Sequence, residues 1–256
     1  MKKVIFIGLF LCMFFLQKAY PTHIVGGEIN YTYLGSDNYL IELTVYRDCG
    51  INNATYDNPA SLGIFNSSGS LITSCTGCKT NGVMIPLGTV DPVPSNVSDP
   101  CLVAPNNICY EVTTYQVTVN LPMVLGGYQL VYQRCCRNHS IQNVVNPGAT
   151  SASYYATIPG PPYSGNSNPV FTELPPIYIC NQLPFSFDHS AVDPDGDSLV
   201  YELYTPWDDN TPGVLAPSNP TPPGAPVNSN PPYPEITWET GYSLGNMMGG
   251  VPLAID

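Results

Sequence analysis

Charge is scarce in this chain of 256 residues: charged side chains make up 10%, with 7 Lys plus Arg against 19 Asp plus Glu and a formal net charge of −12. A nucleic-acid partner needs a basic stripe to meet its phosphates, and so few cations cannot supply one. Anionic lipid surfaces are disfavoured for the same reason. Histidine is equally sparse, with only His23, His139 and His189. After the first residues no segment carries a sustained 3.6-residue apolar period. Nor does any apolar run reach the roughly 20 residues that span a bilayer as a helix. What remains is a turn-rich chain whose hydrophobic share of 43% is too high for wholesale disorder.

The opening Met1-Lys2-Lys3, the apolar run Val4 to Leu16 and the exit Gln17-Lys18-Ala19-Tyr20-Pro21 have the three regions of a secretory signal peptide. We assign residues 1–20 to it, with cleavage after Ala19 or Tyr20. The apolar run is too short to stay as a membrane span, so no transmembrane segment is expected after signal removal. The mature chain is expected to be secreted, extracellular and at the cell surface.

Setting aside Cys12 in the leader leaves eight cysteines: Cys49, Cys75, Cys78, Cys101, Cys109, Cys135, Cys136 and Cys180. An even set behind a signal peptide reads as a disulfide framework. Short turn-forming segments favour the pairs Cys75 with Cys78 and Cys101 with Cys109. Adjacent residues on an extended segment point to opposite faces, so Cys135 and Cys136 should reach two different partners, Cys49 and Cys180, in either order. A zinc site using Cys75-Thr76-Gly77-Cys78 is the rival reading, disfavoured because no second CxxC stands at finger spacing.

The mature chain alternates apolar and polar residues. Ile29, Tyr31 and Tyr33 share one face, Gly35-Ser36-Asp37-Asn38 turns the chain, and Tyr39, Ile41, Leu43 and Val45 share a face again, which predicts a hairpin. Tyr115 to Leu121 and Tyr128 to Arg134 predict a second pair. Shorter strands are expected at Leu62 to Phe65, Leu71 to Ser74, Val83 to Leu87 and Ser153 to Ile158, and later at Ile177 to Cys180, Leu183 to Phe187, Ser198 to Tyr204 and Glu235 to Trp238. The expected fold is all-β, as tandem β-sandwich modules of Ig or cadherin type. Residues 21–160 would form a disulfide-rich β-sandwich, 161–174 a Pro/Gly linker, and 175–256 an Ig/cadherin-like module that is incomplete. Residues 206–234, dense in proline, read as a long exposed excursion.

Three strings suggest chemistry. Ile24-Val25-Gly26-Gly27 matches the mature start of trypsin-like proteases, but the histidine and serine blocks of that family are missing. Gly196-Asp197-Ser198-Leu199 matches the nucleophile block of GDSL hydrolases, yet every histidine precedes Ser198 and the downstream base does not exist. Asp193-Pro194-Asp195-Gly196-Asp197 places three carboxylates at alternate positions, a candidate calcium site through Asp193, Asp195 and Asp197 that lacks EF-hand spacing. The competing reading is a Pro-Asp-Gly turn in which Asp caps backbone amides. Tyrosines recur along the strands, as at Tyr128, Tyr132, Tyr154 and Tyr155, and could fill a sandwich or stack sugars. Arg134, Arg137 and Arg47 cluster about the cysteines and could pair with Asp48 or grip a ligand carboxylate.

The stretches Thr22-His23-Ile24-Val25-Gly26-Gly27-Glu28-Ile29, Tyr39 to Cys49 and Tyr132-Gln133-Arg134-Cys135-Cys136-Arg137-Asn138 resemble the N-terminal region of gliding-motility-associated bacterial surface proteins secreted by the type IX route. The Asp193 to Tyr201 stretch is similar to cadherin-like and Ig-like repeat modules. The resemblance implies a non-catalytic structural or adhesive surface protein that meets a surface polymer, glycan or protein partner. A carbohydrate-binding module of a larger secreted protein is the alternative, and a secreted hydrolase acting through Ser198 the second alternative. No cofactor other than calcium is expected. Thiol titration of the denatured, unreduced mature protein should find no free cysteine, and eight free thiols would refute the disulfide framework.

Overall fold

A computed structural model of the protein describes residues 24–50, 55–80, 82–93, 109–134, 137–163, 165–177, 179, 184–209 and 230–250. The leader 1–20, Cys101, Cys135, Cys136 and Cys180 lie outside the described residues, as does the proline-dense stretch from 210 to 229.

The strands are β1 (Ile24–Gly35), β2 (Asn38–Asp48), β3 (Ala60–Asn66), β4 (Cys78–Lys79), β5 (Gly82–Ile85), β6 (Val90–Pro92), β7 (Tyr110–Asn120), β8 (Tyr128–Arg134), β9 (Ala152–Ile158), β10 (Val170–Phe171) and β11 (Ala191–Val192). They form antiparallel sheets in the orders β1-β2-β7-β6, β4-β5-β3-β8-β9 and β10-β11. The fold is all-β and sandwich-like. β1 and β2 are joined through Ser36 and Asp37, both at positive φ (52° and 61°), the backbone of the primed turn that matches strand twist. Asn38 steadies it by donating from Nδ2 to the carbonyls of Gly35 and Ser36, each at 3.1 Å.

Alternation then decides what is inside. Tyr39, Ile41, Leu43 and Val45 of β2 are buried while the residues between them are half-exposed. With Ile29 and Tyr31 of β1 and Tyr115 and Val119 of β7, they share one core with Leu62, Ile64, Val83, Ile85, Leu130, Tyr132 and Ile158 of the five-stranded sheet. Each such aliphatic side chain stabilises the fold by about 1.5–3 kcal/mol. Gly27 lets β1 come close to β9, because a Cβ there would stand 2.9 Å from the Thr44 carbonyl oxygen and 3.1 Å from the Tyr154 ring. Gly27 of the Ile24-Val25-Gly26-Gly27 string thus has a packing reason.

The five-stranded sheet is covered on its outer side as well. Phe65 and Val131, which point away from the main core, pack with Tyr233, and Leu71 and Trp207 close around them. Trp207 bridges to Ser153 of β9 and to Glu235, and Trp238 bridges to Val144. Residues expected in a second module therefore extend and cover the first sandwich. The segment expected as a linker is also bound to it: the backbone amides of Tyr31 and Tyr33 on the outer edge of β1 donate to Asn168 Oδ1 and Ser167 Oγ. Satisfied this way, the edge offers less to a foreign strand.

Several expectations are corrected. Cys109 bonds to Cys49, not to Cys101. β2 and β7 pair along their whole lengths up to Asp48 opposite Tyr110, so residues 49 and 109 face each other at the sheet end with Cα atoms 5.1 Å apart, inside the range a disulfide can bridge. That removes Cys49 from the partners open to Cys135 and Cys136. Cys75 and Cys78 are joined to each other. Of the strands expected after residue 175, residues 184–187 and 198–204 make no ladder; Glu235 and Trp238 make isolated bridges, and Ala191–Val192 (β11) pairs with Val170–Phe171 (β10). Val200 is 91% exposed and Tyr204 56%: alternation alone, with no facing layer, does not hold a strand.

Burial leaves a titration signature. Desolvation pushes the phenols of Tyr31, Tyr56 and Tyr154 up to about 12 and that of Tyr132 well above its ordinary value. An unfolded tyrosine ionises near pH ~10, so above that the unfolded chain loses protons first. The stabilisation is whole below about pH 10 and fades as pH rises toward the folded values. Alkaline titration should show exposed tyrosines ionising first and the buried ones with loss of near-UV circular dichroism. Ionisation of all tyrosines near their ordinary value with the fold intact would contradict this burial.

Candidate functional site

Arg134 closes β8 with its side chain only 1% exposed. Its Nη1 donates to Asp57 Oδ1 and its Nη2 to the Thr55 carbonyl at 3.0 Å. The second Asp57 oxygen accepts from the Tyr132 hydroxyl at 2.8 Å, and the Asp57 carbonyl accepts from Tyr115, also at 2.8 Å. Arg47 pairs with Glu111 across β2 and β7 at 2.5 Å and lies 5.0 Å over the Tyr56 ring. The basic cluster seen in the sequence thus meets Asp57 and Glu111.

Arg137 differs. Its backbone N–H donates to the Thr150 carbonyl and its Nη2 to the Trp207 carbonyl at 3.0 Å, while its Nε is buried without a partner, as is the Nε of Arg134. Desolvation lowers the Arg137 pKa, and Tyr154 and Asp208 only partly offset it. Arg134, Arg137, Asp48, Tyr110, Ser140 and Tyr154 line one cavity of about 260 Å³. Tyr154 stacks on Tyr132 with ring centres 6.0 Å apart.

On the other side of β9, Tyr155, Tyr204, Trp207 and Tyr233 line a groove of about 510 Å³ with Pro231, Pro232, Ser67, Ser68 and Gln129. Tyr204 and Trp207 lie 5.1 Å apart, and Tyr155 meets Tyr233 edge-on at 6.5 Å. The Gln129 amide oxygen has no protein partner. Of the tyrosines singled out in the sequence, Tyr128 and Tyr132 are core and Tyr155 lines this groove. Trp207 and Tyr233 gave no signal, because they come from segments with no regular period, and Tyr204 was expected only as the end of a strand, Ser198 to Tyr204.

The Asp-rich loop is a turn. Asp193 Oδ1 accepts from the backbone amides of Asp195 at 2.8 Å and Asp197 at 3.2 Å, and Asp195 Oδ2 accepts from Ser167 at 2.5 Å. Through these oxygens Asp193 and Asp195 cap backbone amides. Cys49, Cys109 and Glu111 also cluster, but the two sulfurs are bonded to each other and offer no thiolate. His189 stacks on Phe171 at 4.0 Å, and the His139 ring lies against Gly148. Ser198 is exposed.

Comparison of the chain with family models, with curated proteins and with solved structures returns no match. Among the described residues no helix is long and apolar enough to cross a membrane, which says nothing of spanning strands. The disulfides are compatible with an extracellular location.

Replacing Arg134 alone by Met should leave Asp57 buried without its cation, at a loss of about 3–5 kcal/mol in urea unfolding. Replacing Asp57 by Leu in the same protein should recover much of it, and equal loss in single and double variants would refute the coupling.

Proposed function

We propose that the mature chain is a non-catalytic adhesive protein, exported behind the leader and presented at the cell surface, that holds a glycan polymer in its aromatic groove. The groove of Tyr155, Tyr204, Trp207 and Tyr233 carries this reading. A pyranose has an apolar C–H face that packs on an aromatic ring and equatorial hydroxyls that seek donors and acceptors at its rim. Ser67 and Ser68 supply such groups. A disulfide-tied sandwich suits the task, since a rigid platform reduces the entropy lost on binding. The resemblance to gliding-motility-associated surface proteins supports the same assignment, with the partner a polymer of a neighbouring surface.

Tyr155 and Tyr204 are 39% and 56% exposed, so truncating them should not unfold the protein. On a glycan array the mature protein should bind a subset of neutral polysaccharides, and Tyr204→Ala or Tyr155→Ala should weaken binding by roughly tenfold each. Retained glycan binding in the double variant would place the ligand elsewhere. Binding to no glycan at all would overturn the glycan assignment.

A further inference from the structure

We propose that the cavity beside Arg137 is a second, separate binding site, built for a small hydroxylated monocarboxylate of the sugar-acid class. Tyr154 and Tyr155 are consecutive on β9 and face opposite sides of the sheet, Tyr154 lining this cavity and Tyr155 the aromatic groove.

The need for an anion comes from the guanidinium groups. A buried arginine is normally met by a carboxylate or by a full set of acceptors. Arg134 has Asp57 and the Thr55 carbonyl, yet its Nε is left over, and its side chain is 1% exposed. Arg137 has one carbonyl acceptor on its guanidinium, no carboxylate within ion-pair distance among the described residues, and a buried Nε without a partner. Both line the same cavity, and the charge of each reaches the Tyr154 phenol between them. A carboxylate entering there would meet the Arg137 guanidinium, whose planar fork matches carboxylate geometry and which has a single carbonyl acceptor within the protein.

The remaining lining narrows the class. Asp48 shares the cavity and the protein carries a net charge of −12, so a multiply charged anion such as sulfate or phosphate is repelled more than a monoanion. Asp48, Asn138 and Ser140 instead suit hydroxyl groups, which can donate to the carboxylate and amide oxygen and accept from the amide and serine donors. At about 260 Å³ and ~30 Å³ per water, the space fits a single sugar acid and not an oligomer.

Calorimetry and side-chain Nε–Hε NMR on the mature protein, titrated with sodium glucuronate, sodium acetate, glucose and sodium sulfate, tests this. Glucuronate should bind and shift the arginine Nε–Hε resonances, acetate should bind more weakly, and glucose should not bind. Arg137→Gln, which removes the charge and keeps a polar side chain, should weaken glucuronate binding by roughly tenfold or more. Should that variant fail to fold, Ser140→Trp at the exposed lip of the cavity should abolish binding, while Tyr204→Ala leaves it unchanged. The proposal is overturned by glucose or sulfate binding as tightly as glucuronate, by unaltered affinity in Arg137→Gln or Ser140→Trp, or by the absence of any Nε–Hε shift.

Discussion

A guanidinium removed from water loses several kcal/mol of hydration, which an ion pair returns only when its geometry is good and the remaining hydrogen bonds are made. Arg134 sits under that constraint at the end of β8, and Asp57 meets it with both carboxylate oxygens and its carbonyl engaged. The pair ties the loop before β3 to the last residue of β8, and through Tyr115 to β7 in the other sheet. Both sheets are therefore clamped at one end of the sandwich by one buried charge pair. The cavity with Arg137 opens from that same end.

β8 is the strand around which the rest is arranged. Its residues are buried on both faces, one against the main core and one against Phe65, Tyr233 and Trp207. The second cover comes from chain that returns long after the sheet is complete, and this return builds the aromatic groove. The Arg137 guanidinium and the groove share a link, since the Trp207 carbonyl accepts from Arg137 while the Trp207 ring lines the groove.

Much of the first sandwich was legible from alternation. The hairpin of β1 and β2 follows from apolar residues at every second position and from turn residues between them; β7 and β8 were legible as strands but not as the expected pair, since β7 lies between β2 and β6 and β8 between β3 and β9. Cys75 and Cys78 were legible because closing so short a loop is a local matter. The Cys101 to Cys109 expectation failed because it weighed loop length, whereas the pairing of Cys49 with Cys109 was decided by β2 and β7 register over a separation of 60 residues. The strands expected at 184–187 and 198–204 failed for a related reason: periodicity marks which face a strand would bury, and cannot supply the layer that buries it. The groove was nearly invisible, since Trp207 and Tyr233 lie in segments without a period and Tyr204 closes a stretch that forms no strand.

Composition and local pattern by themselves determined that the protein is all-β, poor in cations, cysteine-bonded and free of any long apolar helix signal, because these properties are sums over residues or relations between near neighbours. Tertiary structure alone decided that Asp57 answers Arg134, that Cys49 meets Cys109, that Arg137 is left without a carboxylate among the described residues, and that Tyr204, Trp207 and Tyr233 join Tyr155 around one groove. Each of these is a meeting of residues far apart in the chain, fixed by strand register and by which faces must leave water, and neither can be read from spacing along the sequence.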